Sequence, residues 1–218
     1  GVSSPVLFLG VAWLISGRWL VVRSWFQDPG LCDHSALYEY GRDDVLALPT
    51  VSGAVARMDF DDDFHADAGN SSFYSSYYSS YLQPIYLIAW GGEIVDVMFS
   101  GHVAVSNPAV GVWGGYVYLS VIEVVAGYGT MLQTAGVTLS PNVANAFSNG
   151  YWQSISIADS FKAPGVGVYR VLMSGQPSNA GSTVYLRGKH SSGYSYSVLM
   201  AKLRETHCYE PLVISAYP

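Results

Sequence analysis

Ser156-Ile-Ala-Asp-Ser-Phe-Lys-Ala-Pro-Gly-Val-Gly-Val-Tyr-Arg-Val-Leu-Met173 reads as two strands about a short loop. Before the loop, Gln153, Ile155 and Ile157 alternate with Trp152, Ser154 and Ser156. After it, Tyr169, Val171 and Met173 alternate with Val168, Arg170 and Leu172. A period of two sends successive side chains to opposite faces, which is how a pleated strand presents itself in sequence. Lys162 to Gly167 carries one Pro and two Gly, residues that end one strand and start another.

The same pattern extends in both directions. After Pro84, strands are predicted over 85–90, 93–99, 110–113, 116–125, 130–139, 151–157, 166–173, 183–188 and 194–203. Gly91-Gly92, Ser106-Asn-Pro108, Gly114-Gly115, Gly127-Tyr-Gly129, Gln176 to Gly181 and Ser191-Ser-Gly193 punctuate them. Short strands with no amphipathic helix between them predict an all-β chain, an antiparallel β-sandwich over residues 85–218. In the last hairpin Thr183, Tyr185, Arg187 and Lys189 share one face and Val184 and Leu186 the other, so the first face is solvated or at a polar rim.

Residues 1–84 read as an N-terminal β-rich arm or small subdomain. Pro5 to Ile15 is apolar, but its eleven residues fall short of the ~20 needed to span a bilayer. Residues 6–15 and 18–26 read as a hairpin about Ser16-Gly17. It is apolar on both faces, so both must be covered. A kinked helix from Pro5 to Val22 is the alternative, weakened by Gly10, Gly17 and several β-branched residues. Ser35 to Tyr40 fits one helical turn and Val51 to Phe60 a strand. Gly69 to Tyr81 mixes Ser with aromatics and reads as a linker or long loop lying against another surface; Asn70-Ser71-Ser72 in it is formally a glycosylation acceptor.

Charged residues make up 12% of the 218-residue chain, about half the ~25% of an ordinary soluble domain. Between Gly101 and Ala158 the only formally charged side chain is Glu123. Charge depletion with seventeen Tyr and six Trp is the composition of interface cores. A net charge of −6 without any gathering of Lys and Arg argues against a nucleic-acid partner. Cys32 and Cys208 form one disulfide or stay as two buried thiols; their spacing does not choose.

Phe161, Pro164, Gly167 and Tyr169, followed by a strand, a loop and Thr183-Val-Tyr-Leu-Arg187, resemble the Phe-x-x-Pro-x-x-Gly-x-Tyr passage of C1q/TNF-like jelly rolls, including those of phage fibres and capsid decorations. The resemblance covers about residues 156–205. It implies a jelly roll over about 85–205 and a threefold assembly, with Pro stiffening a turn, Gly allowing a close backbone approach and the two aromatics plugging the sandwich.

Chemistry-bearing motifs are sparse. Asp59, Asp61 and Asp63 match the first ligand positions of a calcium loop. Phe64 stands where that loop needs Gly and Asn70 where it needs Glu, so the EF-hand pattern fails. Two readings remain for the acidic run: an irregular calcium site using Asp59, Asp61, Asp63 and Asp67, or a solvated loop. No other cofactor is indicated. His34, His65, His102, His190 and His207 are scattered, and the Ser runs lack a G-x-S-x-G elbow. Glu93, Asp96, Glu123 and Asp159 are the carboxylates that could converge for glycoside hydrolysis.

Three functions fit these features. The first is a non-enzymatic virion component, capsid-decorating or fibre-like, assembling as a trimer with itself and with other capsid proteins and open to a surface glycan. The second is a carbohydrate-binding jelly roll, and the third a secreted sandwich glycoside hydrolase. The first accounts for most: low charge, an arm apolar on both faces and a compact sandwich describe a part that docks by its first third.

Overall fold

A computed structural model describes residues 11–15, 18–22, 37–40, 55–89, 91–106, 114–125, 128–139, 152–165, 167–189 and 197–204. Fifteen strands lie in it: β1 (Val11–Ile15), β2 (Arg18–Val22), β3 (Leu37–Tyr40), β4 (Val55–Asp59), β5 (Phe64–Asp67), β6 (Asn70–Ser75), β7 (Ser80–Tyr81), β8 (Ile85–Ala89), β9 (Ile94–Ser106), β10 (Gly115–Val125), β11 (Tyr128–Leu139), β12 (Gln153–Lys162), β13 (Gly167–Pro177), β14 (Thr183–Leu186) and β15 (Val198–Leu203). The all-β expectation holds, and no helix interrupts these strands.

Thirteen strands hydrogen-bond into one network that doubles over into two layers. In the first, β9 is central: β12 runs along one edge of it, and β14 and β15 lie end to end along the other. β5 continues outward from β14 and β4 from β15, so β4 and β5 are likewise collinear. β3 pairs with β4 in parallel, while β6 and then β7 follow β5. The second layer has the order β11–β10–β13–β8. A single pair, Ser174 with Ser72, joins the layers through β13 and β6.

The inward residues are those the alternation selects. Val95, Val97, Phe99, Ile155, Ile157, Leu199 and Leu203 of the first layer meet Val117, Leu119, Val121, Tyr169, Val171 and Met173 of the second in one buried cluster. β12 and β13 are not a hairpin. β12 pairs with β9 and β13 with β10, so the Lys162–Gly167 loop carries the chain from one layer to the other. Its backbone is held by β9's approach: Gly92 N–H donates to Ala163 O at 2.8 Å and Ala163 N–H to Glu93 O at 2.8 Å. Gly92 takes φ +89°, the left-handed conformation a side chain would resist. Phe161 and Tyr169 pack at 5.5 Å between centroids on either side of this crossing, and the Tyr169 hydroxyl donates to Gly165 O at 2.6 Å. Burial raises the Tyr169 phenol above its usual range, against that hydrogen bond.

Three expectations change. Residues 37–40 are a strand, not a helical turn, because β4 offers them a parallel edge. Residues 70–81 are the β6–β7 hairpin of the first layer, not a linker. Strand β9 continues through Gly101 to Ser106, where a break after Phe99 was expected; Gly101 pairs in register with Ile155. Strands β4 to β6, from the segment read as an arm, pair with strands of the sandwich and share its core through Met58, Phe60, Phe64 and Phe73. The hairpin expected in the arm is present as β1–β2, closed at Ile15 and Arg18. The strand expected at 110–113, both cysteines, His34, His190 and His207 lie outside the described residues.

Candidate functional site

The acidic run sits where the collinear pair β4/β5 jogs. It is not a solvated loop: Asp62 is only 4% exposed and accepts a hydrogen bond from the buried Ser75 hydroxyl. Asp63 accepts the Gly188 N–H at 2.7 Å, and Asp67 accepts the Thr183 hydroxyl at 2.8 Å. Asp59 takes Arg57 at 2.8 Å and Lys189 at 2.9 Å. Burial pushes the Asp59 carboxyl up, but these two cations outweigh it and hold the carboxyl below its usual range. A Cβ at Gly188 would overlap the Asp62 backbone, so this crossing point requires glycine. The candidate calcium ligands Asp59, Asp61, Asp63 and Asp67 are thus strung along the jog, three of them on separate partners. Among the described residues no three acids, His or Cys gather as a metal cage.

On the outer face of the first layer, strand register aligns aromatic rings into a row. Tyr185 faces His65, His65 faces Tyr74 and Tyr74 faces Tyr81 across β14, β5, β6 and β7. Their centroids are 6.4, 5.7 and 5.1 Å apart, and the last two pairs meet at 86° and 67°. Steep angles between neighbours give a corrugated ridge with notches. One notch is a cleft of about 250 Å³ lined by Tyr74, Tyr81, His65, Asp67, Asn70 and Ser72. Asn70 Oδ1 accepts the Ser72 N–H at 3.1 Å, and its amide lies 3.4 Å from the Tyr81 hydroxyl. Ser76 Oγ is 3.2 Å from His65 Nδ1. At the adjoining turn Tyr77 is 65% exposed, and Tyr81 on β7 is 52% exposed.

The other end of that face is an open groove of about 710 Å³ over β9, β12 and β15, floored by Met98, Met200 and Ala158 and edged by Asp96, Lys202 and Arg204. Arg204 Nε donates to Asp96 at 3.1 Å and Ser160 to the same carboxylate at 2.6 Å. The Arg204 hydrogen bond, helped by Ser160 and Lys202, holds the Asp96 carboxyl below its usual range against burial. Of the four carboxylates named from sequence, Asp96 and Asp159 line this groove. Glu93 is buried just before β9, with its backbone on the inter-layer crossing, and Glu123 lies near Gly167. The structure thus brings Asp96 and Asp159 to one groove and leaves Glu93 and Glu123 outside its lining.

The aromatic row was hidden in sequence. Tyr185 was legible on the polar face of its hairpin, but Tyr74 and Tyr81 belonged to a segment whose serines blur the alternation. The signal was Phe73 and Ser75 turning inward while Asn70, Ser72 and Tyr74 turn out.

No protein-family profile and no curated protein matches the sequence. Among solved structures, the chain is similar to one titled "CBM4 structure and function", with 12% identity and TM-score 0.31 over 56% of this chain; it spans about 60% of that chain's length. It is also similar to a chain of the Cowpea mosaic virus empty virus-like particle, with 10% identity, TM-score 0.26 and 66% and 72% of the two chains covered. A chain of the naturally occurring empty particles of the same virus gives 11% identity and TM-score 0.25, with 66% and 81% covered.

Proposed function

We propose that the protein is a non-enzymatic structural component of a virus particle, capsid-decorating or fibre-like, acting by association with copies of itself and with other capsid proteins. What supports this is the outer face of the β10–β11 hairpin. Tyr116 and Tyr118 stack there at 5.5 Å and 28°, and Met131 is 59% exposed. Neither strand presents a Lys or Arg, and β11, an edge strand among the described residues, has twelve residues without charge or Pro. Proteins that stay apart guard such edges with Lys or Pro. An unguarded neutral edge beside exposed Met and stacked Tyr is the composition of an interface. The resemblance of Phe161, Pro164, Gly167 and Tyr169 to C1q/TNF-like jelly rolls adds a threefold symmetry to the reading.

Native mass spectrometry of the full chain tests it, with Met131→Lys and Thr138→Lys as probes of the face. The wild type is expected to be oligomeric and both variants to shift toward monomer with unchanged melting. A wild type that stays monomeric at high concentration would overturn the assembly reading. Turnover of a glycoside, lost on neutralising Glu93, Asp96 or Glu123, would overturn the non-enzymatic one.

A further inference from the structure

We propose that the cleft formed by His65, Asp67, Asn70, Ser72, Tyr74 and Tyr81 is a binding site for a neutral glycan. The site takes one pyranose ring in the cleft and lays a longer chain along the aromatic row toward Tyr185. This goes beyond the assembly reading and does not depend on it, because the cleft lies on the outer face of the other layer.

Three observations converge on that ligand class. A sugar ring has an apolar C–H face and a rim of hydroxyls, so it needs aromatic carbon on one side and hydrogen-bonding groups on the other. The cleft supplies both within about 250 Å³, at the small end of the ~300–1,000 Å³ typical of ligand pockets, which suits one ring and not a larger flat molecule. The polar lining is prearranged. Thr183 holds Asp67 through Oδ1 at 2.8 Å, leaving Oδ2 to accept a sugar hydroxyl, and the Ser72 N–H holds Asn70 through Oδ1 while its amide reaches the Tyr81 hydroxyl at 3.4 Å, leaving one amide N–H as donor. Charge decides the rest: the lining has one carboxylate and no Lys or Arg, so phosphate, sulfate and sialic acid would meet repulsion and no cationic partner. The strand-to-strand spacing of the rings, 5.1 to 6.4 Å, keeps an aromatic surface continuous along a chain of several rings.

The test is isothermal titration calorimetry of the full chain with neutral gluco-, manno- and galacto-hexasaccharides, alongside a sialylated oligosaccharide. Saturation-transfer NMR reports which sugar protons touch aromatic rings. At least one neutral hexasaccharide is expected to bind, the sialylated one is not, and Tyr81→Ala and Asn70→Ala are each expected to weaken binding at least about tenfold. Both residues are exposed, so unchanged melting is expected, and Tyr77→Ala outside the cleft serves as the control that leaves affinity in place. No neutral sugar binding at millimolar concentration overturns the proposal, as does equal binding of the sialylated probe. If Tyr81→Ala instead dissociates the oligomer and no sugar binds, the row is a protein interface and the proposal also fails. Monomeric protein that still binds sugar upholds this site and overturns the assembly reading, so the two fail separately.

Discussion

Gly188 shows how little a single atom leaves to chance at the jog. Its N–H caps Asp63, its Cα passes against the Asp62 backbone, and its neighbour Lys189 donates to Phe60 O at 2.8 Å while its ammonium reaches Asp59. A methyl there must displace main chain, so Gly188→Ala is expected to cost about 1–3 kcal/mol, read as a shift in urea midpoint at constant slope. Phe161, 4% exposed against Tyr169, is a plug of the other kind: Phe161→Ala empties space at the inter-layer crossing and is expected to cost about 3–5 kcal/mol. The pH dependence follows from three groups with lowered values, the His102 imidazole and the Asp59 and Asp96 carboxyls. Burial, then the Arg187 charge, holds the His102 imidazole low. As pH falls through about 6.5 the unfolded chain takes up that proton before the folded one does, so stability drops below that point. The two carboxyls act at lower pH. Their contribution is present above the ordinary carboxyl value of 3.8 and is lost as pH falls through the folded values, and partial exposure to solvent keeps it small. Melting temperature is therefore expected to fall in two stages on acidification, the first removed by His102→Gln and the second reduced by Asp96→Asn. Much of this scale was legible beforehand: Ile155, Ile157, Tyr169, Val171 and Met173 point inward as their alternation requires. Asp62 was not, because nothing in a run of three Asp says which one faces a buried Ser thirteen positions away.

At the scale of elements, what escaped the sequence was pairing across distance. Apart from Phe73, β6 and β7 are built from Ser, Asn and Tyr, residues that fit an outer face or a loop equally well, and pairing with β5 and β13 makes them strands. β3, with four residues, is too short for its own periodicity to separate it from a helical turn, and β4 decides it. The acidic run looked like a loop because its three central acids fall between two collinear strands whose alternation resumes in phase, Phe60 and Phe64 both buried. Since Asp59, Asp63 and Asp67 are each held by a different partner, adding calcium or a chelator is expected to leave the melting temperature unchanged; a rise with calcium would show that the run gathers around an ion after all.

For the whole molecule, the two layers divide the work proposed here, with neighbours on the β10–β11 side and sugar on the β5–β6–β7 side. Deleting residues 1–26 is expected to leave a folded, more soluble and less assembled protein, checked by circular dichroism and native mass spectrometry. An unfolded truncation from a monomeric parent would make that segment part of this chain's own core. The end-to-end arrangement of β4 with β5 and of β14 with β15 also sets an order in time. β4 and β5 have one partner close in sequence, β3 and β6, but their other edges pair with strands that begin at Thr183 and end at Leu203, so Met58, Phe60 and Phe64 leave the ribosome well before the strands that complete their layer are made. At roughly 5–20 residues per second the wait is on the order of ten seconds, long compared with chain collapse. Those side chains must be shielded during translation, which makes the yield of native protein a matter of chaperone supply and elongation rate as much as of final stability.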